Sequence, residues 1–142
     1  MKKKIILDCD PGHDDAVAIM LAVANDDIDI LGITCVAGNA TLEKTKINAL
    51  KVCSLISNNN IPIFAGAEKP LHYDLVTAEH VHGKSGLDTE GDPIDILAGY
   101  KIQNMNAVDF IINTCHQQNE PIYLCPVGPL TNIALALQKD PT

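Results

Sequence analysis

The chain has 142 residues, 46% of them hydrophobic and 20% charged, with a formal net charge of -8. That length supports a proper hydrophobic core, and that balance excludes a disordered chain. The acidity argues against broad electrostatic binding to nucleic acid or to an anionic membrane, since both reward clustered Lys and Arg.

In chain order, Lys2, Lys3 and Lys4 read as the solvated flank of a short apolar strand at residues 4–7. Four carboxylates follow within the run Asp8-Cys9-Asp10-Pro11-Gly12-His13-Asp14-Asp15. Residues 14–25 predict a helix that is apolar almost all round, and hence buried. Residues 28–36 read as a second strand and 41–57 as an amphipathic helix. Thr41 is the expected N-cap of that helix, and Leu42, Ala49, Leu50, Cys53 and Ile56 form its apolar stripe. Asn58, Asn59 and Asn60 are expected to end it. A third strand at 61–64, a helix at 107–117, a fourth strand at 122–125 and a helix at 130–138 complete the pattern.

Strands alternating with helices predict a parallel sheet covered on both faces. The expected class is α/β, a mostly parallel, Rossmann-like sheet in a single domain over residues 1–142. Such sheets bind ligands beyond the carboxyl ends of their strands. The acidic run, then Ala37-Gly38-Asn39, then Pro126-Val127-Gly128-Pro129 all fall on that rim. Residues 66–105 have little periodicity and read as a lid, a binding loop or a disordered stretch. Four strands are few for a doubly wound sheet, so the chain is expected to be the N-terminal part of something larger.

No apolar run reaches the ~18 to 20 residues of a membrane helix, and the first residues lack the pattern of a signal peptide. The five cysteines, Cys9, Cys35, Cys53, Cys115 and Cys125, are odd in number and form no CxxC pair. Cys35, Cys53 and Cys125 lie in apolar runs and read as buried free thiols of a reducing, cytoplasmic compartment.

The acidic turn carries the chemistry. Asp8 and Asp10 are two apart and point to one side at a strand end. Pro11 and Gly12 make the turn, and Asp14 and Asp15 enter the first turn of a helix, where the dipole favours carboxylates. Capping is one use of Asp14. Crowded carboxylates raise one another's pKa unless a positive charge joins them, and a hard divalent cation with oxygen ligands is the simplest such charge.

The run Asp8 to Ala16 resembles the N-terminal signature of the inosine–uridine nucleoside hydrolases. Val36-Ala37-Gly38-Asn39, His82-Gly83-Lys84-Ser85-Gly86 and the stretch from Pro126 to Ala134 agree with that family in order and spacing. Residues 5–20 and 36–52 look most like the bacterial pyrimidine-preferring members. The resemblance implies a Ca²⁺-dependent hydrolase that releases ribose and free base from a ribonucleoside, using a Ca²⁺-activated water. By position it makes Asp10, Asp15 and the backbone carbonyl of Val127 the metal ligands. It makes Asp10 the general base. Asp14 and Asn39 hold the sugar, and Asp8 lies behind the ligands. His82 fits a proton donor beside the departing base, or an ordinary loop histidine. His13 is expected only to position the turn, and Cys9 only to pack. The resemblance also implies a homo-oligomer, a tetramer in the family.

Members of that family are much longer, and their C-terminal half supplies another calcium Asp, a neighbouring His and sugar contacts. Ca²⁺ takes ~6 to 8 oxygens, so Asp10, Asp15 and Val127 are only part of a shell. A truncated, inactive piece of the fold is therefore one alternative. A metal-dependent deacetylase is another, because His13-Asp14-Asp15 is similar to the strand-end motif of those enzymes, although no Pro precedes the Asp pair. A haloacid-dehalogenase-like phosphatase would need Gly-Thr where Pro11 and Gly12 stand.

Overall fold

The computed structural model describes residues 1–58 and 60–142, so Asn59, expected among the residues that end the second helix, lies outside it. Four strands, β1 (Lys3–Cys9), β2 (Ile28–Cys35), β3 (Ile63–Ala65) and β4 (Tyr123–Pro126), form one sheet in the order β3-β2-β1-β4. Every pairing is parallel. The helices are α1 (His13–Ala24), α2 (Leu42–Leu55), α3 (Glu79–His82), α4 (Ala107–Gln117) and α5 (Thr131–Lys139).

Alternation along β1 splits the core in two. Leu7 and Cys9 face Ala16 and Ile19 of α1 and Leu42, Ala49 and Cys53 of α2. Ile6 faces the other way, onto Val108 and Ile111 of α4 and Ala136 of α5. Helices thus cover both faces, as a parallel sheet of apolar strands demands. The chain runs outward from β1 through β2 to β3, then crosses back to place β4 on the other side of β1. The order reverses between β1 and β4, and such a reversal opens a crevice at the carboxyl ends of the strands.

Three expectations change. α1 is not buried all round: Asp15, Ala16 and Ile19 are buried, whereas Val17 and Leu21 are 54% and 67% exposed. The helix touches the sheet on one face, and its apolar outer face meets solvent. β4 is an edge strand, so Tyr123 and Leu124 are exposed and Cys125 is only half-buried. α2 stops earlier than the asparagines suggested. Ser57 takes a positive φ of 53°, its N–H donates to the Ser54 carbonyl, and the Asn58 N–H donates to Cys53. That pair of bonds is a Schellman close with a serine where glycine is usual.

Thr41 is the N-cap residue of α2, but its side chain makes no capping bond. The 66–105 segment docks along α2. Leu87 enters the core, Lys44 pairs with Glu79 at 2.9 Å, and the Gln103 N–H donates to Ile63 at 2.8 Å. Among the described residues, no helix is long and apolar enough to cross a membrane.

Candidate active site at the carboxyl ends of the strands

β1 ends at Cys9, and the next residue, Asp10, is 5% exposed. Its backbone N–H donates to Asp15 Oδ2 at 3.0 Å. The β2–α2 loop braces it from the other side. The Asn39 N–H donates to Asp10 Oδ2 at 2.7 Å, and Asn39 Nδ2 donates to the Asp10 carbonyl at 2.9 Å. After β4, the Val127 N–H donates to the Asp8 carbonyl at 2.8 Å, so residues 127–128 run beside the same turn. Asp10, Asp15, Asn39 and Val127 therefore meet at one end of the sheet.

Two glycines let the backbone come close. A Cβ on Gly128 would stand 2.6 Å from Asp10 Oδ1, and one on Gly38 would strike Asp10 Oδ2. Gly12 has the same reason to lack a side chain, because a Cβ there would meet His82 Nδ1 at 2.7 Å.

The electrostatics follow from burial. Loss of water raises the carboxyls of Asp8, Asp10 and Asp15. For Asp10 the Asn39 N–H partly offsets this. Asp15 has the neighbouring Asp10 carboxyl as well as burial against it, and is pushed up to about 7. Asp8 is 1% exposed. Its Oδ1 accepts from Thr34 Oγ1 at 2.6 Å and from Asn132 Nδ2 at 2.8 Å, while its Oδ2 is buried without a partner. Such a cluster invites positive charge. The candidate donors, the carboxylates of Asp10 and Asp15 and the carbonyl of Val127, are all oxygen and suit a hard cation such as Ca²⁺. It is only part of a shell: among the described residues no three His, Cys, Asp or Glu side chains converge as a metal group.

Asp14, on the first turn of α1, is exposed. His82 ends α3 and lies half-buried against the turn. Its Nδ1 accepts from the His13 N–H at 3.4 Å. His13 stacks on His82 with ring centroids 5.5 Å apart, so it ties the 79–88 segment to α1 rather than merely shaping the turn.

Residue patterns alone did not mark the buried amides. Asn132 Nδ2 also donates to the Cys35 carbonyl, and its Oδ1 accepts from the Ala67 N–H at 2.8 Å. One side chain from α5 thereby clamps β1, β2 and the loop after β3. Asn48 Nδ2 donates to the carbonyls of Pro11 and Ser85. The available signal was a polar residue beside the apolar stripe of a helix, at Asn48 next to Ala49.

The fold and site define an α/β protein whose acidic cluster lies at the topological switch of a parallel sheet. The chain belongs to the family described as inosine-uridine preferring nucleoside hydrolase, whose model matches residues 5–142. It is 48% identical over 140 residues to the pyrimidine-specific ribonucleoside hydrolase RihB of Escherichia coli O1:K1, covering 99% of this chain and 44% of that protein. Among solved structures, the purine-preferring ribonucleoside hydrolase from Gardnerella vaginalis superposes with a TM-score of 0.87 at 32% identity, over 98% of this chain and 44% of that one. The plant nucleoside hydrolase PpNRh1 gives a TM-score of 0.89 at 33% identity, over 100% and 44%. The chain thus spans less than half the length of these relatives. The family match leaves the deacetylase and phosphatase alternatives without support.

Proposed function

We propose that the protein hydrolyses the N-glycosidic bond of ribonucleosides, favouring uridine and cytidine, to give ribose and free base. The observation that carries this reading is the buried Asp10–Asp15 pair, braced by Asn39 at the switch point. The pyrimidine preference rests on the printed name of the relative at 48% identity.

Ca²⁺ would be held by the carboxylates of Asp10 and Asp15 and the carbonyl of Val127. When bound, it orients a water and lowers its pKa. Asp10 takes the proton from the attacking water. Asp14 and the oxygen of the Asn39 side chain bond the ribose hydroxyls. Departure of the base leaves an oxocarbenium-like sugar, which the surrounding carboxylates stabilise. His82, in its imidazolium form, gives a proton to the departing base and is left as neutral imidazole. A homo-oligomer in a reducing cytoplasm belongs to the same proposal, supported on the second point by five free cysteines.

Release of free base, followed by chromatography with and without chelator, tests the reading. Asp10→Asn should keep the fold and lose most turnover, because an amide is not a base. No base released from any ribonucleoside by a protein of the relatives' full length, with Ca²⁺ present, overturns it. A folded but inactive piece is the second reading, favoured by coverage of only 44% of the relatives and by the incomplete shell. Comparing the 142-residue chain with a protein of the relatives' full length separates the two.

A further inference from the structure

One buried amide ties two sides of the site together. Asn48 is 1% exposed and lies on α2. Its Nδ2 donates to the Pro11 carbonyl at 3.1 Å and to the Ser85 carbonyl at 2.9 Å. An amide nitrogen carries two hydrogens in one plane, so a single rigid group serves both carbonyls and fixes the distance between them. Pro11 lies in the acidic turn, directly after Asp10, and Ser85 lies three residues after His82.

Holding Ser85 holds His82. The Asp88 N–H donates to the His82 carbonyl at 3.1 Å, and the Gly86 N–H donates to the Gly83 carbonyl at 3.1 Å. The Asp88 carboxylate accepts from the N–H groups of Lys84 and Ser85. Residues 82–88 are thereby tied into one piece. Lys44, one helical turn before Asn48, secures the outside of that piece: it pairs with Glu79 and donates to the Lys84 carbonyl. The fit at Asn48 is close. Gly86 has a φ of 78°, and a Cβ there would lie 3.2 Å from Asn48 Nδ2 and 2.9 Å from Ala40 Cβ. Were the amide to turn away, two carbonyls would lose its hydrogens in a largely buried setting, which is costly.

We propose that Asn48 is a positioning residue for the hydrolysis: it sets His82 over the acidic turn, so that the imidazolium proton reaches the departing base. The inference rests on the ribonucleoside hydrolase reading above. Asn48 acts through His82 and not on the substrate. A reacting group moved by about 1 Å can lose on the order of a hundredfold in rate, so a side chain buried behind the site can govern the step.

The test compares uridine with 4-nitrophenyl β-D-ribofuranoside in a protein of the relatives' full length, with Ca²⁺ present. Nitrophenolate is a stable anion and leaves without a proton, so only uridine needs the acid. Asn48→Leu, which keeps the volume and removes the amide, should lower kcat on uridine about tenfold to a hundredfold and kcat on the nitrophenyl riboside less than about threefold. His82→Ala should show the same split. Gly86→Ala crowds the amide from the other side and should show it too, which serves if circular dichroism finds Asn48→Leu unfolded. A split in His82→Ala with equal losses on both substrates in Asn48→Leu, or with none, overturns the role of Asn48 and leaves the hydrolase reading standing. No split in His82→Ala removes the proton donor and the proposal with it. No cleavage of uridine by the unmutated protein is the failure of the hydrolase reading itself, and the proposal falls with it. Hydrogen exchange in the 142-residue chain judges the tether without turnover. In Asn48→Leu the amides of residues 82–88 should exchange about tenfold faster while those of β1 and β2 do not change. Unchanged exchange at 82–88 overturns the proposal.

Discussion

The backbone N–H of Asp10 reaches Asp15 Oδ2 across 3.0 Å, closing the end of β1 onto the third residue of α1. Two buried carboxyls are thereby held together, and among the described residues no lysine or histidine forms an ion pair with either. Burial, then Asp10, pushes Asp15 up to about 7 from 3.8. A raised carboxyl holds its proton more tightly folded than unfolded. Its contribution to stability is complete below about pH 4 and is lost as pH climbs through about 7. In chelator, the melting temperature should therefore fall over that window, and Asp15→Asn should flatten the fall. An unchanged slope in that variant would remove Asp15 as its source.

In a protein of the relatives' full length, Ca²⁺ should reverse the loss at pH 8. An ion that binds only the folded state stabilises it by about 2.7 kcal/mol at a hundredfold excess over Kd. Calorimetry and melting curves should agree, and Asp10→Ala should greatly weaken both responses. Unaltered affinity in that variant would exclude Asp10 as a ligand.

Asn132 links groups that are far apart in the chain: its bond to Asp8 spans 124 residues. Asn132→Ala takes one of two donors from Asp8 Oδ1, which keeps Thr34, and one of two from the Cys35 carbonyl, which keeps the Gly66 N–H, and it leaves the half-buried Ala67 N–H without its acceptor. Unsatisfied buried groups are costly, so denaturant melts should reveal a loss of about 2 to 4 kcal/mol. Asn132→Asp, which sets a second carboxyl against Asp8, should lose at least as much.

The contrast between Asn132 and Asp10 explains what the sequence disclosed. Strand, turn and acidic helix start are local, so Asp8 to Asp15 could be read as one unit. The sheet followed from apolar runs of strand length. The role of Asn132 depends on three partners from distant segments, which no spacing encodes. The exposure of Val17 and Leu21 was equally hidden, because hydrophobicity records what a side chain favours and not which face of α1 finds a neighbour. His13 looked like turn geometry until the 66–105 segment brought His82 against it.

Ser57 offers a stability gain. It closes α2 with a φ of 53°, a region where an L side chain costs roughly 1 to 2 kcal/mol and glycine does not. Glycine's larger entropy loss on folding takes back part of that. Ser57→Gly should therefore raise stability by about 0.5 to 1 kcal/mol in denaturant melts. A loss instead would mean that the serine side chain supplies something the close itself does not need.

Gly128 tests the geometry around Asp10 without touching a charge. Its φ is not in the left-handed region, so alanine suits the backbone, but the new Cβ would lie 2.6 Å from Asp10 Oδ1 and 3.1 Å from its Cγ. The carboxylate must move. Misplacing a reacting group by about 1 Å can cost on the order of a hundredfold in rate. Gly128→Ala should keep its circular dichroism spectrum and lose roughly that much base release per unit time. Ca²⁺ affinity should fall too, because the displaced carboxylate is also a proposed ligand. Equal activity and equal Ca²⁺ binding in Gly128→Ala would mean that Asp10 tolerates displacement, and that neither the base nor the ligand role depends on where the strand end holds it.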